Sequence, residues 1–125
     1  MSETYRSNRR GRQDFGKVTV LRLKIQEILD DAIINAMFDP INMLSVIGRN
    51  QLALNLGAVD CVTSMTLANL IMLNRKVETA NGRLTLCELT PTVDEILEST
   101  RLKALFNVYA TEAEALKSFG SEMLA

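Results

Sequence analysis

The chain has 125 residues, 47% of them apolar and 23% charged, with a net charge of −1. That length suits one domain with a real core, and the composition excludes a disordered or low-complexity chain. The balanced charge gives no general pull toward nucleic acid, and no apolar run approaches the roughly 20 residues that span a bilayer.

The charge is unevenly placed. Residues 1–17 carry Arg6, Arg9, Arg10, Arg12 and Lys17 against Glu3 and Asp14, a net of +3, which leaves −4 for the rest. Residues 1–16 are polar, Arg-rich and punctuated by glycine. They are expected to form a flexible basic tail with at most a weak edge strand near Thr4–Arg6. The tail has too little aromatic interleaving to predict direct nucleic-acid binding, and a solubilising role fits it better. With no hydrophobic stretch behind the basic residues, no secretory signal is expected. Cys61 and Cys87 lie in or beside apolar strands, where free thiols are common, and a reducing, cytoplasmic setting is expected.

Val18-Thr-Val-Leu-Arg-Leu23 is apolar and β-branched and predicts a strand. Asp30 and Asp31 then offer N-capping carboxylates. Ile33, Ile34, Met37, Phe38, Ile41 and Leu44 follow at helical spacing. Pro40 predicts a kink or a restart in that helix, with Asp39 as a new cap, and Gly48 closes it. Gln51-Leu-Ala-Leu-Asn-Leu56 suits a buried central strand. Beyond Gly57 and the Asp60–Thr63 loop, Leu67, Leu70, Ile71 and Val77 predict a second helix, ended by Asn81-Gly82. Arg83–Leu89 reads as a strand, and Thr90-Pro91 as a helix start with proline at its first position. Phe106–Tyr109 is a short last strand, and Thr111-Glu-Ala-Glu114 is a capping-box pattern opening a helix to about Phe119.

Strands alternating with helices in this way predict an α/β fold with a mostly parallel sheet of four to five strands. The helices are expected on one face, because the chain carries too little apolar helix surface for a second layer. Residues 17–121 make up the domain.

The chemistry concentrates at Thr63 and Ser64, where a strand's loop enters a helix. Free backbone N–H groups and the positive end of a helix dipole meet a hydroxyl there. Ser64 is either the cap of a helix starting near Met65 or the place where a phosphate is written and read. Thr63 and Thr66 are alternative caps or acceptors. Asp30 is either a cap or part of an acidic rim that a partner reads. Asp60 is either on the same rim or a solvated loop residue. Met65, if exposed, suits a soft protein-binding patch. Catalysis finds little support. The chain has no histidine, which excludes Ser-His and Cys-His nucleophiles, and no glycine-rich phosphate loop. Asp30-Asp31 is weak evidence for a metal site. No enzyme activity, cofactor or metal is expected.

Asn81-Gly-Arg-Leu-Thr-Leu-Cys-Glu-Leu-Thr-Pro-Thr-Val-Asp-Glu-Ile-Leu-Glu-Ser-Thr-Arg-Leu-Lys-Ala-Leu-Phe106 and Thr111-Glu-Ala-Glu-Ala-Leu116 resemble the second half of a STAS domain, the module of sulfate transporters and anti-sigma factor antagonists. Lys17–Asp31 resembles its second strand and the Leu-Asp that follows. The family's loop is Asp-Ser-Ser-Gly-Leu. Here it reads Thr63-Ser64-Met65-Thr66-Leu67, with threonine in place of the aspartate and of the glycine. The resemblance puts the family's phosphorylatable serine on Ser64 and an acidic position near it on Asp30. It implies a protein-binding regulator of the anti-sigma factor antagonist type. Such a protein docks Asp30, Asp60, Thr63, Ser64, Met65 and Thr66 onto an anti-sigma factor or serine-kinase-like partner and is switched by phosphorylation at Ser64, with Thr63 as the alternative. The two loop replacements point instead to a non-phosphorylated scaffold or sensor subunit that assembles with other STAS proteins. A carrier of a small anionic ligand such as a nucleotide is a third expectation.

Overall fold

Strand-forming residues in this chain come in two kinds. Central strands are apolar on one face and mixed on the other, and a first, charged strand closes one edge. The computed structural model describes residues 11–125. Its five strands are β1 (Arg12–Phe15), β2 (Val18–Ile25), β3 (Gln51–Val59), β4 (Arg83–Cys87) and β5 (Asn107–Tyr109). They form one sheet in sequence order, with β1 antiparallel to β2 and every other pair parallel. Leu52, Leu54, Leu84 and Leu86 are fully buried on one face and Val20, Ala53, Thr85 and Cys87 on the other, as strands covered on both sides require.

Arg12–Phe15 lies inside the segment expected as a tail. The polar residues Arg12, Gln13 and Asp14 hide it from a hydrophobicity reading, and such residues suit an edge strand, where they discourage pairing with another chain. Gly16 turns the hairpin at φ +62°, a left-handed conformation that favours glycine. A side chain there would also meet the backbone of Met123 and Leu124 at 2.6 Å. The edge strand considered at Thr4–Arg6 falls outside the described residues.

The helices are α1 (Asp31–Val46), α2 (Ser64–Thr79), α3 (Pro91–Ser99), α4 (Glu112–Lys117) and α5 (Ser121–Leu124), with a 3-10 turn at Lys103–Leu105. α1 runs through Pro40, so the expected restart at Asp39 does not occur. Pro40 is exposed, and the carbonyl it leaves unpaired faces water rather than the core. Ile34, Phe38, Ile41 and Leu44 of α1, Leu70, Leu73 and Val77 of α2, and Val93 and Leu97 of α3 bury together against Leu21, Leu54 and Leu86. No helix among the described residues is long and apolar enough to cross a membrane.

Not all helices share that face. α4 packs against β3, β4 and β5. Its Glu112 reaches Arg22 and Asn55, which register pairs with each other across β2 and β3 on the side away from Leu21 and Leu54. The helices therefore lie mainly, but not wholly, on one face. The second layer is built on a smaller apolar patch: Val18, Val20, Ala53, Cys87 and Ala115 are fully buried there, and the hydrogen bonds of Glu112 to Arg22 and Asn55 add to it. Burial, with the nearby charges of Glu112 and Glu88, pushes the Cys87 thiol up to about 12.

Candidate functional site at the start of the second helix

Parallel strands feed helices from one end of the sheet, so the N-termini of α1, α2 and α3 gather there. The chain is fastened at that point. Asp60 N–H donates to the Ile25 carbonyl at 2.8 Å, which joins the loop after β3 to the end of β2. The Thr90 hydroxyl donates to the Val59 carbonyl at 2.8 Å while accepting from Val93 N–H at 3.3 Å. Asn69 Nδ2 donates to Asn35 Oδ1 at 2.9 Å and so binds the early turns of α2 and α1 side by side.

The cap of α2 is Thr63. Its φ of −105° and ψ of 169° are extended, and its Oγ1 accepts from Thr66 N–H at 3.3 Å. The helix begins at Ser64 rather than near Met65, so Ser64 does not cap it. The Ser64 side chain is exposed and makes no hydrogen bond to another described residue. The first turn of α2 holds no acidic residue, so no side chain of that turn offsets the positive end of its dipole.

The other predicted residues separate. Asp30 caps α1, with its Oδ1 accepting from Ile33 N–H at 3.0 Å, and remains exposed at the same end of the sheet. Asp60 is exposed in the loop before Thr63. Met65 is half-buried and packs against the core, so it is not the open soft patch considered. Thr66 is only 3% exposed and cannot stand on a partner-reading rim. The physical reason is helical period: Thr66, Leu70, Leu73 and Val77 form the buried stripe of α2, and Thr66 is its first member.

The sequence reading missed the exposed apolar side chains around this end. Ile28 is 82% exposed in the loop before α1, and Ile33 is exposed in the first turn of α1. Ile33 belongs to the apolar run at helical spacing, but the i, i+4, i+7 count through Ile34, Phe38 and Ile41 places it on the outer side of α1. Among the described residues no group of acids, cysteines or histidines could hold a metal ion.

A STAS domain family model matches residues 12–115, from β1 into α4. The chain belongs to the STAS domain family. BtrV of Bordetella bronchiseptica, which carries the provisional name of anti-sigma factor antagonist, is 29% identical over 72 residues. That match takes in 58% of this chain and 62% of BtrV. Among solved structures, the anti-sigma factor antagonist SpoIIAA in its unphosphorylated form aligns with a TM-score of 0.73 at 20% identity, covering 88% of this chain and 95% of that one. The phosphorylated form of SpoIIAA, from Bacillus, aligns at 0.67 with 20% identity, covering 86% and 96%. A chain of the stressosome aligns at 0.69 with 15% identity, covering 89% and 96%. At these identities the structures establish a shared fold.

Proposed function

We propose that this STAS protein is a regulatory binding subunit of the anti-sigma factor antagonist type, switched by phosphorylation at Ser64. The observation that carries the reading is the division of labour in the loop: Thr63 does the capping, and Ser64 stands exposed with its hydroxyl uncommitted. In the transfer, the Ser64 oxygen attacks the terminal phosphorus of ATP, its proton passes to a base on the kinase, and ADP leaves.

Unmodified, the surface formed by the Ser64 turn, Asp30, Asp60 and the exposed Ile28 and Ile33 docks an anti-sigma factor or serine-kinase-like partner. A phosphate brings about −2 charge and three acceptor oxygens. The open N-terminus of α2 favours that charge, so the domain stays folded. The same charge desolvates poorly against a partner fitted to a neutral serine, and binding is lost. Similarity to SpoIIAA, known in both phosphorylated and unphosphorylated forms, supports this reading.

A second reading is favoured by one feature, the threonines in place of the family's loop aspartate and glycine. In it the domain is an unmodified scaffold assembling with other STAS proteins, as the likeness to a stressosome chain suggests. Incubation of the wild type and of Ser64→Ala with extract of the source cells and ATP, followed by intact mass and peptide mapping, separates the two. One phosphate on Ser64, absent from the variant, supports the switch. An unmodified wild type supports the scaffold.

A further inference from the structure

The α2 entry carries three hydroxyls within four residues, Thr63, Ser64 and Thr66, and by sequence alone each is a possible acceptor. We propose that Thr66 is the positioning residue that sets which of them is modified: its buried hydroxyl engages Thr63 and leaves Ser64 as the one hydroxyl presented to a kinase. The proposal rests on the reading of Ser64 as a phosphate acceptor.

Thr66 heads the buried stripe of α2. Its side chain borders an apolar void of about 10 Å3 walled by aliphatic side chains such as Ile25, Val59, Leu70 and Val93. Nothing on that side can satisfy a hydroxyl. Its side-chain partner among the described residues is Thr63 Oγ1, at 3.3 Å. A buried hydroxyl without a partner is costly, so the pair is retained.

The consequence for Thr63 follows from its two lone pairs. One accepts from Thr66 N–H at 3.3 Å. If Thr66 donates its hydroxyl proton as well, both lone pairs are taken and neither is free to attack a phosphorus atom. If Thr63 is the donor instead, its proton is directed inward, away from any base on a kinase. In either direction the Thr63 hydroxyl is held in the cap. Ser64, one residue on and exposed, has no such tether.

The test uses the full chain as wild type, Thr66→Val, Thr66→Ala and Thr66→Ser. Each is checked for folding by its melting curve, then incubated with source-cell extract and ATP and mapped by mass spectrometry. Valine keeps the shape and removes the hydroxyl; alanine removes it without adding a methyl, should valine disturb the cap. Loss of one hydrogen bond of ordinary strength frees the Thr63 hydroxyl about fivefold more often.

The expected result is phosphate on Ser64 alone in the wild type. Thr66→Val and Thr66→Ala then show phosphate on Thr63 that the wild type lacks, because the freed hydroxyl is presented about fivefold more often. Thr66→Ser keeps the wild-type pattern. A wild-type distribution in both hydroxyl-free variants overturns the proposal while leaving Ser64 as acceptor. Phosphate on Thr63 in the wild type also overturns it. No phosphate on any of the four proteins overturns the Ser64 reading itself, and the proposal with it.

Discussion

Arg22 Nη2 donates to Glu112 Oε2 at 2.7 Å, joining β2 to α4 across ninety residues of chain. Arg22 Nε donates to the other oxygen at 3.0 Å, so the guanidinium holds the carboxylate by two bonds. Asn55 Nδ2 adds a third at 2.8 Å, and the N–H of Glu112 donates to Glu88 Oε2 at 2.9 Å. The pairing fixes the short helix that covers the second face of the sheet.

That pairing predicts a pH dependence. The Arg22 bonds, reinforced by Asn55, hold the Glu112 carboxyl below its ordinary value of 4.5. A carboxyl with a depressed folded-state pKa stabilises the fold above its unfolded value, and the contribution is lost as pH falls from 4.5 through the folded value. Thermal melts from neutral to acid pH are expected to show Glu112→Gln less stable than wild type at pH 7, with the gap closing below that window. Parallel curves at all pH values would show that the carboxylate charge contributes nothing.

Ser64→Asp places a carboxylate at the first position of α2, where the chain has no acid of its own. The expected result is a fold retained or strengthened by about 0.3–1 kcal/mol at low salt, measured by urea denaturation. Marked destabilisation would contradict the claim that this helix end accepts negative charge.

Leu54 is fully buried in the central strand, between β2 and β4. Leu54→Ala is expected to cost about 2–5 kcal/mol, read from the shift of a two-state denaturation midpoint. A loss under 1 kcal/mol would mean that the core refills the space.

Gly82 precedes β4 and lies against the backbone carbonyl of Asn50, the acceptor of Arg83 N–H at 2.9 Å. A β-carbon there would overlap that carbonyl, and backbone cannot yield as a side chain can. Gly82→Ala is expected to destabilise by about 1–3 kcal/mol. An unchanged melting temperature would disprove the close approach.

Much of the fold was legible because its signals are local. β2 to β5 were marked by apolar runs, and the starts of α1, α3 and α4 by Asp30, Thr90-Pro91 and Thr111, each of which caps its own helix. What stayed hidden depends on distant partners. β1 has the composition of a loop and becomes a strand only by pairing with Val18–Leu21. The second layer joins α4 to the buried Val20, Ala53 and Cys87 and fastens it through Glu112 to Arg22 and Asn55, contacts that no local pattern reports. At the site, the sequence placed Ser64 at a helix entry but could not decide between Thr63 and Ser64 as cap. A single residue of helix phase decided it, and the same phase buried Thr66; the phase of α1, set by Ile34, Phe38 and Ile41, left Ile33 outside.

On the proposed reading, the state of Ser64 decides whether this protein binds its partner. The most direct measurement is the affinity of one anti-sigma factor or serine-kinase-like protein, captured on the unmodified chain, for that chain before and after it has been phosphorylated at Ser64. Tight binding is expected before and a loss of at least about tenfold after, which corresponds to about 1.4 kcal/mol. Equal affinity for both forms, with the phosphate confirmed on Ser64, would contradict it.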